Sequence, residues 1–344
     1  MGAAPPVKDC ENTVTIKPFA PFNFERTLRF ILRPPAGRDG REFEPLLDYY
    51  IGGEFRRVAE INGDLALYGV SVRGPEEELR VRILSGPAGK STMSKIECAV
   101  RRQLATDLDL APFQHAAAHD PILFRLAQHF RGMRIPQAPS AYEVLVSAIL
   151  EQQINLSFAH KVKHALIENY GRSIEYDGVR YNVFPSPETL AAATPEDLRK
   201  IQISRSKAGY VIAISRAVAK GSLHLESLRS LAPEAAHEKL MALKGVGAWT
   251  AQYAGMRAFG HLDCLPAVDV GLQKVVKFLY GLRKQPSVPR LEHIARKWQG
   301  WRSYATFYFW MTYWEDKEWN EKLRTEAREL RRDQRTHAQD AVLS

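Results

Sequence analysis

Cysteine is scarce: Cys10, Cys98 and Cys264 are the only three in 344 residues, and no two stand at the C-x2-C spacing that holds zinc or an iron–sulfur cluster. A reducing, cytoplasmic setting fits. Long apolar runs are missing too. Nothing reaches the roughly 18 residues of a membrane span, so no membrane partner is expected. The opening Met1-Gly2-Ala3-Ala4-Pro5-Pro6 has no apolar core of a signal peptide, and its sixth residue is not the Ser or Thr of a myristoylation signal. No repeat of fixed period is evident. With 45% hydrophobic, 25% charged and 10% aromatic residues, the composition excludes a disordered or fibrous chain, and the length suggests two or three domains.

What the sequence has in excess is positive charge. Lys and Arg number 48 against 39 Asp and Glu, a net +9, the direction expected for a polyanion partner, with nucleic acid ahead of an anionic membrane surface. Residues 315–344 hold 7 basic and 8 acidic side chains, so the surplus belongs to the rest of the chain. That stretch reads as a solvated charged helix, with Glu318/Lys322 and Asn320/Arg324 at i,i+4 spacing.

From Thr13 to about Leu84 the pattern is strand-like. Val14-Thr15-Ile16 comes first, and Phe55–Ile61 is joined to Asp64–Val72 through Asn62-Gly63, a hairpin signal because both turn positions need positive φ. With Leu79–Leu84 as a further strand and Phe24–Leu32 as a helix, this part predicts a small α+β domain on an antiparallel sheet, residues 13–115. After Gly86–Gly89 the period becomes helical and stays so, which predicts an all-α domain over 116–319 and a charged tail over 320–344. Ser140-Ala141-Tyr142-Glu143 reads as a capping box opening a helix with Tyr142, Leu145 and Ile149 on one face. Thr194-Pro195-Glu196-Asp197 supplies an N-cap and a proline at N1.

Two stretches carry chemistry. In Leu243-Lys244-Gly245-Val246-Gly247-Ala248-Trp249-Thr250-Ala251, Gly-x-Gly runs straight into a helix-forming segment, and such a turn presents free amides to an anion. Downstream, Asp263 to Lys274 is a loop entering a helix, with Asp269 where that helix should begin. Asp269 taken alone reads as an N-cap. His160 and His164 stand at i,i+4, but with no third ligand or catalytic Glu they read as an exposed pair, and Arg302 in Trp-Arg-Ser-Tyr reads as a member of a buried ion pair.

The hairpin Leu243–Thr250 followed by Asp269 resembles the helix-hairpin-helix superfamily of DNA base-excision glycosylases. Trp249-Thr250-Ala251-Gln252-Tyr253, Ala148-Ile149-Leu150-Glu151-Gln152-Gln153 and Trp301-Arg302-Ser303-Tyr304-Ala305 with Trp310 are similar to its 3-methyladenine DNA glycosylase II type. Ala20-Pro21-Phe22-Asn23-Phe24 and the Asp48–Val72 region resemble that type's N-terminal domain. The resemblance implies a monomeric enzyme that binds double-stranded DNA, flips a damaged base and excises alkylated purines. Other damaged purines, deaminated or oxidised, and a non-catalytic damaged-DNA-binding role are the alternatives.

By the same resemblance Asp269 is the catalytic carboxylate, stabilising the positive charge that bond cleavage leaves on the deoxyribose. Trp249, Tyr253, Trp310 and Phe30 would face the cationic base, and Gln153 would fill the space it vacates. Gly245, Gly247, Lys244 and Lys274 would meet DNA phosphates, with Lys277 a further phosphate candidate. Carbonyls of Met241, Leu243 and Val246 would bind a monovalent cation; no cofactor is required. No general acid is visible beside Asp269. Bifunctional members carry a Schiff-base lysine two residues after the second hairpin glycine; here that residue is Trp249, which predicts hydrolysis without strand cleavage.

Overall fold

The computed structural model describes residues 12–32, 45–75, 77–315, 318–326 and 329. Cys10, the N-terminal residues and most of the stretch after 326 lie outside them.

An antiparallel sheet of order β1-β5-β4-β3-β2 forms the N-terminal layer, from β1 (Thr13–Ile16), β2 (Tyr49–Ile51), β3 (Glu54–Ile61), β4 (Asp64–Arg73) and β5 (Glu78–Ser85). Asn62 and Gly63 have φ of 55° and 88°, so the β3–β4 turn has the geometry its sequence demands, and Ile61 pairs with Asp64 across it. Alternate side chains of β3, β4 and β5 bury Phe55, Tyr68, Val70, Leu79 and Val81 against α1 (Phe24–Leu32) and α2 (Lys90–Gln103).

The helical part follows as α3 (Ala111–Ala117), α4 (Pro121–His129), α5 (Ala141–Glu151), α6 (Leu156–Tyr170), α7 (Pro187–Ala192), α8 (Pro195–Lys200), α9 (Arg205–Ala219), α10 (Pro233–Met241), α11 (Ala248–Ala254), α12 (Val270–Leu279), α13 (Val288–Ala295) and α14 (Arg302–Met311). It has two apolar centres. One is built by α3, α4, α12, α13 and α14 around Trp298, Tyr304 and Tyr308; the other by α5, α6, α9 and α11 around Leu145, Leu166 and Val211. Helix α5 buries every residue from Ala141 to Leu150, more than the one-sided helix its sequence spacing predicts.

Several expectations need correction. A strand pair, β6 (Ser173–Tyr176) and β7 (Val179–Asn182), interrupts the helices and packs on the sheet, with the Tyr49 and Tyr181 rings 4.7 Å apart. The division at 115/116 falls inside α3, whose Phe113 belongs to the helical core. The tail is not simply solvated: residues 318–326 are helical, Leu323 is buried in the core and Trp319 lies 4.1 Å from the His129 ring. Thr194 and Asp197 form the full reciprocal capping box. At Ser140 only half forms: its hydroxyl accepts from the Glu143 amide, but the Glu143 carboxylate turns away to Arg57.

Candidate active site

Asp269 caps α12 and also faces open space. Its Oδ1 accepts from the Leu272 amide at 2.6 Å and from Trp310 Nε1 at 3.1 Å, and its Oδ2 accepts from Trp249 Nε1 at 2.8 Å. The capping reading of the sequence therefore holds and is incomplete: two indoles from α11 and α14 grip the same carboxylate. It sits on the seam between the two helical cores, in a cleft of ≈1810 Å³ that reaches from α1 to the hairpin.

Trp249, Tyr253, Trp310 and Phe30 all line this cleft. Trp249 and Tyr253, one helical turn apart on α11, stack at 5.0 Å with 10° between planes, so each covers one face of the other. Trp310 stands 6.2 Å from Tyr253 at 49°. Phe30 packs against Phe307 at 5.1 Å, and the Arg257 guanidinium lies 4.6 Å over its ring, a cation–π contact from the protein itself.

The hairpin joins α10 to α11. Gly245 has φ +91°, and a Cβ there would lie 2.3 Å from the Tyr210 ring. Gly247 starts α11 with no capping side chain and open space on its Cβ side. The Leu243 carbonyl accepts from the Val246 amide at 3.0 Å, and the Gly245 carbonyl accepts from Gln152 Nε2 at 2.9 Å. Lys244, Lys274 and Lys277 are exposed, and Lys274 borders the cleft. Gln153 is exposed on the loop after α5 with φ 55°. That loop is held from below: Lys207 Nζ donates to the carbonyls of Leu150 and Gln152, at 2.7 and 2.6 Å.

Arg302 makes the expected ion pair, bidentate to Asp263 and half-buried. His164 pairs with Glu168, whereas His160 is partly buried and lines the cleft, so the two are not an exposed pair. Among the described residues no group of three or more His, Cys, Asp or Glu side chains could hold a metal ion, and no helix is long and apolar enough to cross a membrane.

Sequence reasoning missed Glu151, Gln152, Lys207 and Arg257. The signal for the first two was present: polar side chains directly after the apolar run Ala148-Ile149-Leu150, at a helix end. Arg257 lies on a π-helical turn, Gly255–Phe259, that follows α11 and aims it at the Pro136 carbonyl.

Residues 146–300 match the HhH-GPD superfamily base excision DNA repair protein family. A DNA-3-methyladenine glycosylase of Bacillus subtilis is 39% identical over 204 residues, 59% of this chain and 67% of that protein. The chain belongs to the helix-hairpin-helix DNA glycosylase superfamily. DNA-3-methyladenine glycosylase 2 of Escherichia coli is 29% identical over 298 residues, 85% of this chain and 94% of that protein. In fold, 3-methyladenine DNA-glycosylase from Archaeoglobus fulgidus aligns with a TM-score of 0.74 over 87% of this chain and 97% of that one, at 24% identity. The matched residues 146–300 include both the hairpin and Asp269.

Proposed function

We propose that this protein is a monofunctional DNA glycosylase of base excision repair, extruding alkylated purines of the 3-methyladenine and 7-methylguanine type from duplex DNA and hydrolysing their N-glycosidic bonds. The observation that carries this reading is the Asp269 carboxylate, held by three N–H donors at the edge of an aromatic cleft. A departing purine leaves positive charge at C1′ of the sugar, and a carboxylate fixed beforehand stabilises it without having to reorganise. An alkylated purine is already cationic, so it is attracted to the free faces of the Trp249–Tyr253 pair and Trp310, and it leaves without being protonated. Because Trp249 and Tyr253 cover each other, the base would use the outside of the pair.

A base must leave the stack before it reaches such a cleft. Gln153, exposed on a loop anchored by Lys207, would fill the gap. The amides around Gly245 and Gly247, together with Lys244 and Lys274, would take the neighbouring phosphates. The Met241, Leu243 and Val246 carbonyls are oxygen donors of the kind a hard monovalent cation accepts, although the Leu243 oxygen already takes one amide. Trp249 in place of a lysine supports hydrolysis over Schiff-base chemistry. The enzyme would act as a monomer and need no cofactor.

The test is release of free base from methylated duplex DNA, with strand breaks scored separately. Wild type is expected to release 3-methyladenine or 7-methylguanine and to yield breaks only after alkali. Asp269→Asn should lose about 10²-fold or more in rate while keeping its affinity for abasic duplex. Breaks without alkali, or equal activity in the variant, would contradict this.

A further inference from the structure

The cleft holds titratable groups that this chemistry does not use, Glu151 among them. Glu151 ends α5 directly behind ten buried residues and lines the same cleft as Asp269. Among the described residues no hydrogen bond or ion pair reaches its carboxyl. Its neighbours bond around it: Lys207 takes the carbonyls of Leu150 and Gln152, and Gln152 turns its amide to Gly245 and Thr250. A negative charge at a helix C-terminus is also unfavourable. Burial pushes the carboxyl up, against the pull of Lys163, Arg257 and Lys207. The same carboxyl acts on Tyr253, whose hydroxyl burial and Glu151 together push up to about 12. Glu151 therefore stands near Tyr253, inside the cleft that Asp269 also lines.

We propose that Glu151 is the proton donor for extruded purines that are not already cationic. Its carboxyl O–H hydrogen-bonds a ring nitrogen of the base and passes its proton there as the C1′–N9 electron pair leaves with the purine. Water adds to C1′ and releases a proton through Asp269 to solvent, from which Glu151 is reprotonated; one water is consumed and the base departs neutral. The inference rests on the glycosylase reading and extends it to neutral lesions, for which leaving-group protonation is the difficult step. A 7-methylguanine base, cationic beforehand, has no use for such a donor.

The experiment compares single-turnover excision of hypoxanthine and 7-methylguanine by the full chain, as wild type and Glu151→Gln, from about pH 5 to about pH 9. The charged groups that act on Glu151 are Lys163 from α6, Lys207 from α9 and Arg257 from the turn after α11, with Tyr253 of α11 also coupled to it; His160 and Glu143 line the same cleft. Burial and Lys163 push His160 down to about 4, so it stays neutral across this range, and Asp269 serves both substrates and cancels in their ratio. The hypoxanthine to 7-methylguanine ratio is expected to fall about 10²-fold in the variant. In wild type the hypoxanthine rate alone should decline toward alkaline pH, and that decline should vanish in the variant. An unchanged ratio, an equal loss on both bases, or one shared wild-type pH profile overturns the role of Glu151; the last needs no variant to fold. Wild type releasing 7-methylguanine but no hypoxanthine also overturns it, whereas wild type releasing neither overturns the glycosylase reading itself.

Discussion

Gly245 and Gly247 look alike in the sequence but are held for different reasons. Gly245 is required by the protein, since its φ of +91° and the Tyr210 ring leave no place for a side chain. Gly247 has ordinary φ and nothing within 4 Å of a Cβ, so whatever needs its bareness comes from outside. Gly245→Ala should therefore lower stability by about 1–3 kcal/mol, seen in thermal unfolding. Gly247→Ala should melt like wild type yet bind abasic duplex about tenfold more weakly, about 1.4 kcal/mol. Equal melting of both variants would contradict this assignment. At this scale the sequence was readable where a residue's partner is close along the chain, as with Asp269 at the start of α12. The indoles on Asp269 were read only as ring faces, because nothing in the spacing reveals where an N–H points.

Within the sheet, three strands converge on one carboxylate. Glu54 on β3 accepts from Arg82 on β5 and from Arg56 beside it, in the space left by Gly69 on β4, where a Cβ would come 2.5 Å from Glu54 Cδ. Burial raises the Glu54 carboxyl, the two arginines outweigh it, and the net shift is downward. A group lowered on folding stabilises above its unfolded value and loses that contribution as the pH falls through its folded one. Glu54→Gln should accordingly be less stable than wild type at neutral pH, with the difference shrinking as the pH drops below 4.5; urea midpoints against pH would measure it. A gap that widened in acid would reverse the sign argued here. Elements with long, regular patterns were legible: the Asn62-Gly63 hairpin, α1 and the Thr194 N-cap of α8 all form as read. The β6–β7 hairpin was passed over although Asp177-Gly178 has the same turn chemistry, with φ of 49° and 71°. Its four-residue strands are too short to show alternation, and they are stabilised by packing on the sheet.

Across the whole molecule the sheet and helices are joined by a buried ion triad at the cleft wall. Arg57 on β3 donates to Asp48 and to Glu143 on α5, each at 2.6 Å, while Gln103 bridges from Asp48 to Tyr68. Removing one partner strands the other charges in a dry interior, so Arg57→Leu should cost about 3–5 kcal/mol, read from denaturant unfolding. A loss below about 1 kcal/mol would mean the triad behaves like a surface pair. No sequence window holds this network, because Arg57 and Glu143 are 86 residues apart and each looks locally like a strand or cap residue. Two further ties reinforce it: buried Arg134 donates to the carbonyls of Phe19 and Pro21, and Tyr181 on the small hairpin accepts from Arg56. Riveted at three places, the cleft is an aperture of set width and not a jaw. On the proposed function, the deformation that brings a base inside would fall on the duplex, so sorting would start before any contact with Trp249: a pair that resists unstacking least would be the first to be presented.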